Sequence, residues 1–252
     1  MKKAVIRNCL HGSEIVVCRN LDDSGRCLSL VKSSTGAEGI RNLKAEFEGY
    51  HWYNEALKAP VSVRASDLSR SYFQLEVEFL LGRKPDYLQG LLANADAIEF
   101  GIRHYCDIWA PRQAQADRAC VHGDISLDNL IISGEQVRLI DWEHFTPDAL
   151  PVGFDGLYLL FESLWFEIED MRDPAPAALA LIRRGIATLR DAGCLHPSYA
   201  DAPLRRTVEA IHSRPDIWGE QLQRCHKLPI LKWSSQRIAE LDRRIAAPPH
   251  DQ

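Results

Sequence analysis

The texture of this chain changes once, between Gly82 and Pro85, and that change limits the folds open to it. Before it, residues 4–10, 14–18 and 27–32 are short β-branched or alternating runs, separated by His11-Gly12-Ser13 and by Asp22-Asp23-Ser24-Gly25. Such punctuation predicts a three-stranded meander. Leu43, Phe47, Tyr50 and Ala56 then recur near helical spacing until Pro60, which predicts a helix over about residues 39–58. Residues 61–65 and 72–81 are two more strand candidates, so the pattern reads βββαββ. After Pro85 the segments 88–109, 157–171, 177–192, 204–212, 215–225 and 234–246 all accommodate a helix. The exception is a small hairpin, residues 129–132 and 136–140 around Ser133-Gly134-Glu135. The expected fold class is α+β with two lobes. A small β-rich N-terminal lobe with one helix spans residues 1–81, and a larger, mostly helical C-terminal lobe spans residues 82–252.

Composition excludes several classes. With 252 residues, 46% apolar and 26% charged, the chain can bury a core and is neither disordered, collagen-like nor a coiled coil. Charge interrupts every apolar stretch well before the ~18 residues of a membrane span. The start, Met1-Lys2-Lys3, is followed by no apolar h-region, so the expectation is a cytoplasmic protein with no membrane span. Thirty basic residues against 35 acidic ones, a net charge of -5, argue against nucleic acid as a partner. The deficit is uneven: residues 1–78 hold 11 Lys/Arg and 10 Asp/Glu, whereas residues 79–252 hold 19 and 25. Seven cysteines, with no C-x-x-C pair, fit neither a zinc ribbon nor a disulfide framework, and reduced thiols are expected.

Chemistry concentrates in Val121-His122-Gly123-Asp124-Ile125-Ser126-Leu127-Asp128-Asn129 and in Ile140-Asp141-Trp142-Glu143. Asp124 precedes the amide Asn129 by five residues, and Asp141 stands at the exit of the hairpin that Asn129 opens. Phosphoryl transfer uses such parts. One carboxylate orients and deprotonates the attacking hydroxyl, while an amide and a second carboxylate hold magnesium on the nucleotide phosphates. Magnesium takes hard oxygen ligands and keeps water in its other positions, so one Asn and one Asp are a reasonable protein share. Asp128 suits a turn or cap role.

These two stretches resemble the His-Gly-Asp-x-x-x-x-Asn catalytic loop and the Ile-Asp-Trp/Phe-Glu metal motif of kinase-like phosphotransferases, the aminoglycoside phosphotransferase and choline kinase group. The resemblance implies a protein kinase-like two-lobed fold that uses ATP and Mg2+. It implies Asp124 as the catalytic base, Asn129 and Asp141 as metal ligands, and His122 as a buried support of the loop. Asp155, in Gly153-Phe154-Asp155-Gly156, matches the aspartate that braces that loop. By the same resemblance Lys32 contacts the α/β phosphates and pairs with a helix carboxylate, Glu46 or Glu48, a choice that helix phase leaves open. The stretch from Glu76 to Gly82 resembles the hinge, with the backbone of Glu78, Phe79 and Leu80 offered to adenine.

Departures from that pattern narrow the acceptor. There is no G-x-G-x-x-G; the short turn His11-Gly12-Ser13 takes the place of a phosphate-covering loop. Ser126 stands where kinases acting on proteins carry a lysine, and 13 residues separate Asp141 from Asp155 with no Ala-Pro-Glu. The expected acceptor is therefore a hydroxyl of a small molecule. Residues 141–173 hold nine carboxylates and one basic residue, interleaved with Trp142, Phe145, Phe154, Tyr158, Phe161, Trp165 and Phe166. Such a wall would suit a cationic, amine-bearing acceptor, with Glu143 as the candidate contact. The competing expectation is an amphipathic helix with an apolar core face and a solvated charged face. The alternative function is a nucleotide-binding module without turnover, which the thin phosphate loop would suit and the complete set Asp124, Asn129 and Asp141 argues against.

Overall fold

The computed structural model describes residues 2–8, 15–69, 71–113, 117–168, 172–224 and 228–247. The chain is α+β, with an antiparallel sheet in its N-terminal region followed by a mostly helical region. It divides into two compact units, Met1–Leu81 with Asp141–Phe145, and Gly82–Ile140 with Thr146–Gln252. The turn Asp141–Phe145 thus belongs to the first unit, whereas a division of the sequence at residue 81 leaves it in the second.

In the first unit, strands β1 (Lys2–Asn8), β2 (Val16–Leu21), β3 (Cys27–Ser34), β4 (Val63–Ser69) and β5 (Tyr72–Glu78) form one antiparallel sheet in the order β1-β2-β3-β5-β4. The β2–β3 hairpin is closed by Asp22, whose Oδ1 accepts from Ser24 N–H (2.9 Å), Ser24 Oγ–H (2.6 Å) and Arg26 N–H (2.9 Å). Helix α1 (Ala37–Asn54) follows β3 and packs on β3, β4 and β5. Its buried Leu43, Glu46, Tyr50 and Tyr53 recur at the three- and four-residue spacing of one helix face. Opposite them β5 buries every second residue, Phe73, Leu75 and Val77. The helix stops short of the expected residue 58 because Asn54 clasps Val61 instead, donating Nδ2–H to its carbonyl and accepting its N–H, both at 2.8 Å.

The turn Asp141–Phe145 docks on α1 through aromatic contacts. The Trp142 ring lies 4.9 Å from Tyr53, 6.1 Å from Trp52 and 6.3 Å from Tyr50, centroid to centroid. Each such pair adds about 1 kcal/mol to the area it buries. The approach depends on Gly49, since a Cβ there would lie 2.7 Å from Trp142 Cβ and 2.9 Å from Phe145 Cβ.

In the second unit β6 (Ala119–Val121) pairs with β9 (Thr146–Leu150), and β7 (Leu130–Ser133) with β8 (Gln136–Leu139). The helices are α2 (Gly90–Ala93), α3 (Ala95–Gln113), α4 (Phe154–Ile168), α5 (Pro176–Asp191), α6 (Pro203–His212), α7 (Pro215–Arg224) and α8 (Ser235–Ala246). Helix α4 is the centre: Leu157, Leu159, Leu160, Phe161 and Leu164 are fully buried, and α2, α3, α5 and α6 pack around it.

Several expectations are corrected. The helix expected over residues 88–109 is broken at Asn94, whose Nδ2 donates to Asp86 O and Gly90 O, both at 2.8 Å. Strands β6 and β9 carry no sequence pattern, β6 being three residues long and β9 holding Pro147 and Asp148. Asn129 ends a 3-10 turn, Leu127–Asn129, and the hairpin opens at Leu130. Of the aromatic wall, Trp142, Phe145, Phe154, Tyr158, Phe161 and Trp165 are buried and Phe166 is half-buried. Cys18, Cys27, Cys106, Cys120 and Cys194 are free thiols. Cys9, the turn His11-Gly12-Ser13, Glu169, Asp170 and Cys225 lie outside the described residues. No helix among the described residues is long and apolar enough to cross a membrane.

Candidate functional site

In the second unit the segment from His122 to Asn129 is held by its own hydrogen bonds and by three residues distant in sequence. Asp155, in the first turn of α4, accepts from His122 N–H (2.9 Å, Oδ2) and from Gly123 N–H (3.0 Å, Oδ1). Its carboxylate is 1% exposed, and burial pushes its pKa up to about 7 although both N–H groups pull it down. Gly123 has φ +86, a left-handed conformation that a side chain would strain. Its carbonyl accepts from Trp218 Nε1–H at 2.9 Å, a bond made in the interior.

His122 is completely buried, and its ring is fixed at both nitrogens. Nδ1 accepts from Asp124 N–H (3.3 Å), so Nε2 carries the proton and donates to Ile140 O (3.0 Å). Asn129 closes the loop from the other side: its Nδ2 donates to Asp124 O (2.9 Å) and Asp124 Oδ2 (3.1 Å), and its carbonyl accepts from Ile140 N–H (3.1 Å). Ile140, the residue before Asp141 in the chain, is thereby bonded to both His122 and Asn129. Asp128 accepts from Ser126 Oγ–H at 2.6 Å, the turn role expected of it. An oriented, partly exposed carboxylate held by an amide can accept a proton from a hydroxyl placed against it.

In the first unit Lys32, on β3, bridges two carboxylates. Its Nζ donates to Glu46 Oε1 (2.7 Å) and Oε2 (2.8 Å) on α1, and to Asp141 Oδ1 (2.6 Å). Glu46 meets the lysine; Glu48 is exposed. Burial acts to depress the Lys32 pKa, but Asp141 and Glu46 outweigh it and hold the ammonium well above the ordinary lysine value. Glu46 is 1% exposed, and burial pushes it up to about 7 against the pull of Lys32. Asp141 is 38% exposed and has φ +66, so its backbone is left-handed without being glycine. All three N–H donors of the ammonium are thus engaged by Glu46 and Asp141, so an anionic oxygen would reach Lys32 by taking the place of Asp141 Oδ1.

The remaining predicted residues are more dispersed. Glu78 N–H donates to Ser62 O (2.9 Å) while Glu78 Oε2 accepts Ser62 N–H (3.0 Å), and Phe79 N–H donates to Leu28 O (3.0 Å). These two hinge donors are therefore engaged within the unit; among the described residues, no acceptor is found for Leu80 N–H. Glu143 Oε1 lies 3.7 Å from His144 Nε2. Lys32, Glu46 and Asp141 come together in the first unit, and His122, Asp124, Asn129 and Asp155 in the second.

Sequence reasoning missed three participants. Tyr50, four residues after Glu46, is buried beside Lys32, Glu46 and Asp141, and its helical spacing from Glu46 was the available signal. Glu162 feels Asp124 and Asp128, and burial together with those two charges pushes its carboxyl well above the usual range; Tyr158 donates to it at 3.4 Å. Trp218 is 95 residues from Gly123, and no local pattern announces that contact.

Each unit holds one oxygen donor of the hard kind that magnesium takes. Asn129 spends its Nδ2 on Asp124, which leaves its amide oxygen as the atom for a ligand role, and Asp141 offers a half-exposed carboxylate. No group of three or more His, Cys, Asp and Glu suited to a metal occurs among the described residues. Magnesium, unlike zinc, needs only one or two protein oxygens when substrate phosphates complete its shell. No protein-family model matches the chain, and no curated protein matches it.

Proposed function

We propose that this chain is an ATP-dependent phosphotransferase of the protein kinase-like, two-lobed class, transferring the γ-phosphoryl group to a hydroxyl of a small molecule. The observation that carries this reading is the double engagement of Lys32 by Glu46 and Asp141 at 2.6–2.8 Å. The resemblance implies that Lys32 pairs with Glu46 or Glu48 and that Asp141 is a metal ligand, and Lys32 is joined to Glu46 across 14 positions of chain and to Asp141 across 109.

In the reaction Asp124 takes the proton of the acceptor hydroxyl as its oxygen attacks the γ-phosphorus. The bond to the β-γ bridging oxygen breaks, ADP departs with that electron pair, and one proton is released to solvent from Asp124. Asn129 orients Asp124 through Nδ2, and Asp155 with His122 keeps the loop from relaxing. Lys32, held by Glu46, would bind the α/β phosphates. Asn129 and Asp141 would hold magnesium, which when bound neutralises phosphate charge. Leu80 N–H is the hinge donor left for adenine. Glu143 is the candidate contact to a cationic acceptor.

The test is a screen of hydroxylated metabolites, amines and aminoglycosides among them, for stimulated ADP release, with Asp124→Ala as the paired control. Acceptor-dependent release by the native chain and its loss in the variant are expected. Equal release by both proteins would sink the assignment of Asp124, and failure of the native chain to bind magnesium-ATP would sink the reading as a whole.

A further inference from the structure

We propose that Tyr50 is a positioning residue whose hydroxyl accepts the Asp141 N–H and thereby sets the backbone turn that brings the Asp141 carboxylate to Lys32. The inference rests on the proposed function for its consequence on metal binding, and on structure alone for the turn itself.

Asp141 has φ +66, a left-handed conformation that a residue with a side chain seldom adopts unaided, so the surroundings must hold it there. Lys32 grips its carboxylate at 2.6 Å. Tyr50 hydrogen-bonds its backbone. Glu46 and Tyr50 are one turn apart on the buried face of α1, so a single helix face engages Asp141 twice, through Lys32 at the side chain and through the phenol at the main chain. The phenol is suited to the task because its reach is rigid, with two torsions, and because a buried hydroxyl needs a partner. Its ring is held laterally by Trp142, 6.3 Å away, and the neighbouring Gly49 lets the turn come this close. Tyr50 is 2% exposed, so water cannot readily replace it as acceptor.

Tyr50→Phe removes one oxygen and keeps the ring. Amide hydrogen exchange should quicken about tenfold at Asp141, whose N–H loses its acceptor. In a titration with magnesium and a non-hydrolysable ATP analogue, the variant should bind the magnesium complex about tenfold more weakly, while binding of the metal-free analogue is unchanged. Exchange at Asp141 equal to wild type would overturn the proposal. So would an equal loss of metal-free and metal-loaded binding, the mark of a general structural defect. A native chain that binds no magnesium nucleotide would instead remove the proposed function, and the exchange measurement would then decide by itself whether Tyr50 sets the turn.

Discussion

Lys32 Nζ lies 2.6 Å from Asp141 Oδ1, across 109 positions of chain, while its other bonds go to both oxygens of Glu46. One half-buried cation therefore serves two carboxylates, Glu46 fully buried and Asp141 half-exposed.

Lys32→Met should be destabilising because it strands Glu46, 1% exposed, without a counter-charge. Removing one partner of a buried pair costs about 3 kcal/mol. The loss should be smaller at pH 5 than at pH 8, since an orphaned Glu46, already pushed up to about 7, takes up a proton. Urea denaturation at both pH values measures this, and Lys32→Met combined with Glu46→Leu should recover at least half of the loss. No recovery in the double variant would refute the account.

Gly49 and Gly219 give opposite expectations for the same substitution. At Gly49 an alanine Cβ would meet Trp142 Cβ at 2.7 Å, and overpacking of about 2 kcal/mol exceeds the gain in helix propensity. At Gly219, which follows the kink at Trp218 in α7, nothing lies within 4 Å and the backbone is not left-handed, so Ala should stabilise by about 0.5 kcal/mol through the lower entropy of the unfolded chain. Thermal melting of the two variants should move in opposite directions; a shared direction would contradict the packing described.

Asp155 predicts a pH slope. Its folded pKa, about 7, lies above the ordinary aspartate value of 3.8 because of burial, so the native state holds its proton more tightly than the unfolded chain. The stability this contributes is present below pH 4 and is lost as the pH rises towards 7. Asp155→Asn cannot titrate. The stability of wild type relative to that variant should fall by up to ~4 kcal/mol between pH 4 and pH 7. The offset at low pH reports the N–H of His122 or Gly123 that loses its acceptor, and Glu46 cancels because it titrates in both proteins. A difference that stays flat across the window would mean that Asp155 is ionised throughout.

Asp124→Ala should reduce acceptor-dependent ADP release by roughly 10²–10⁴-fold, the range of a general base. Nucleotide affinity, measured by calorimetry, should be preserved. A parallel fall in affinity would move Asp124 from proton transfer to nucleotide binding.

Much of this was legible locally. The buried face of α1 is written in the spacing of Leu43, Tyr50 and their neighbours, and alternation in β5 is visible in Phe73, Leu75 and Val77, because side-chain period follows directly from backbone geometry. The set His122, Asp124, Asn129 and Asp141 was legible too, as residue types at short fixed spacings. Glu46 and Glu48 both stayed open: they point about 160° apart on the helix, but the sequence does not show which side of α1 the end of β3 comes to face.

What the sequence determined by itself is the succession of elements, the α+β class and the short stretches in which chemistry-bearing residues crowd together. Tertiary structure alone decided that β5 inserts beside β3, that Asp141–Phe145 joins the first unit by docking on α1, and that Tyr50 and Trp218 reach Asp141 and Gly123. The reason is physical. Periodicity records which face of an element is buried, but its partner is chosen by packing and by the closure of long stretches of chain, neither of which leaves a local repeat.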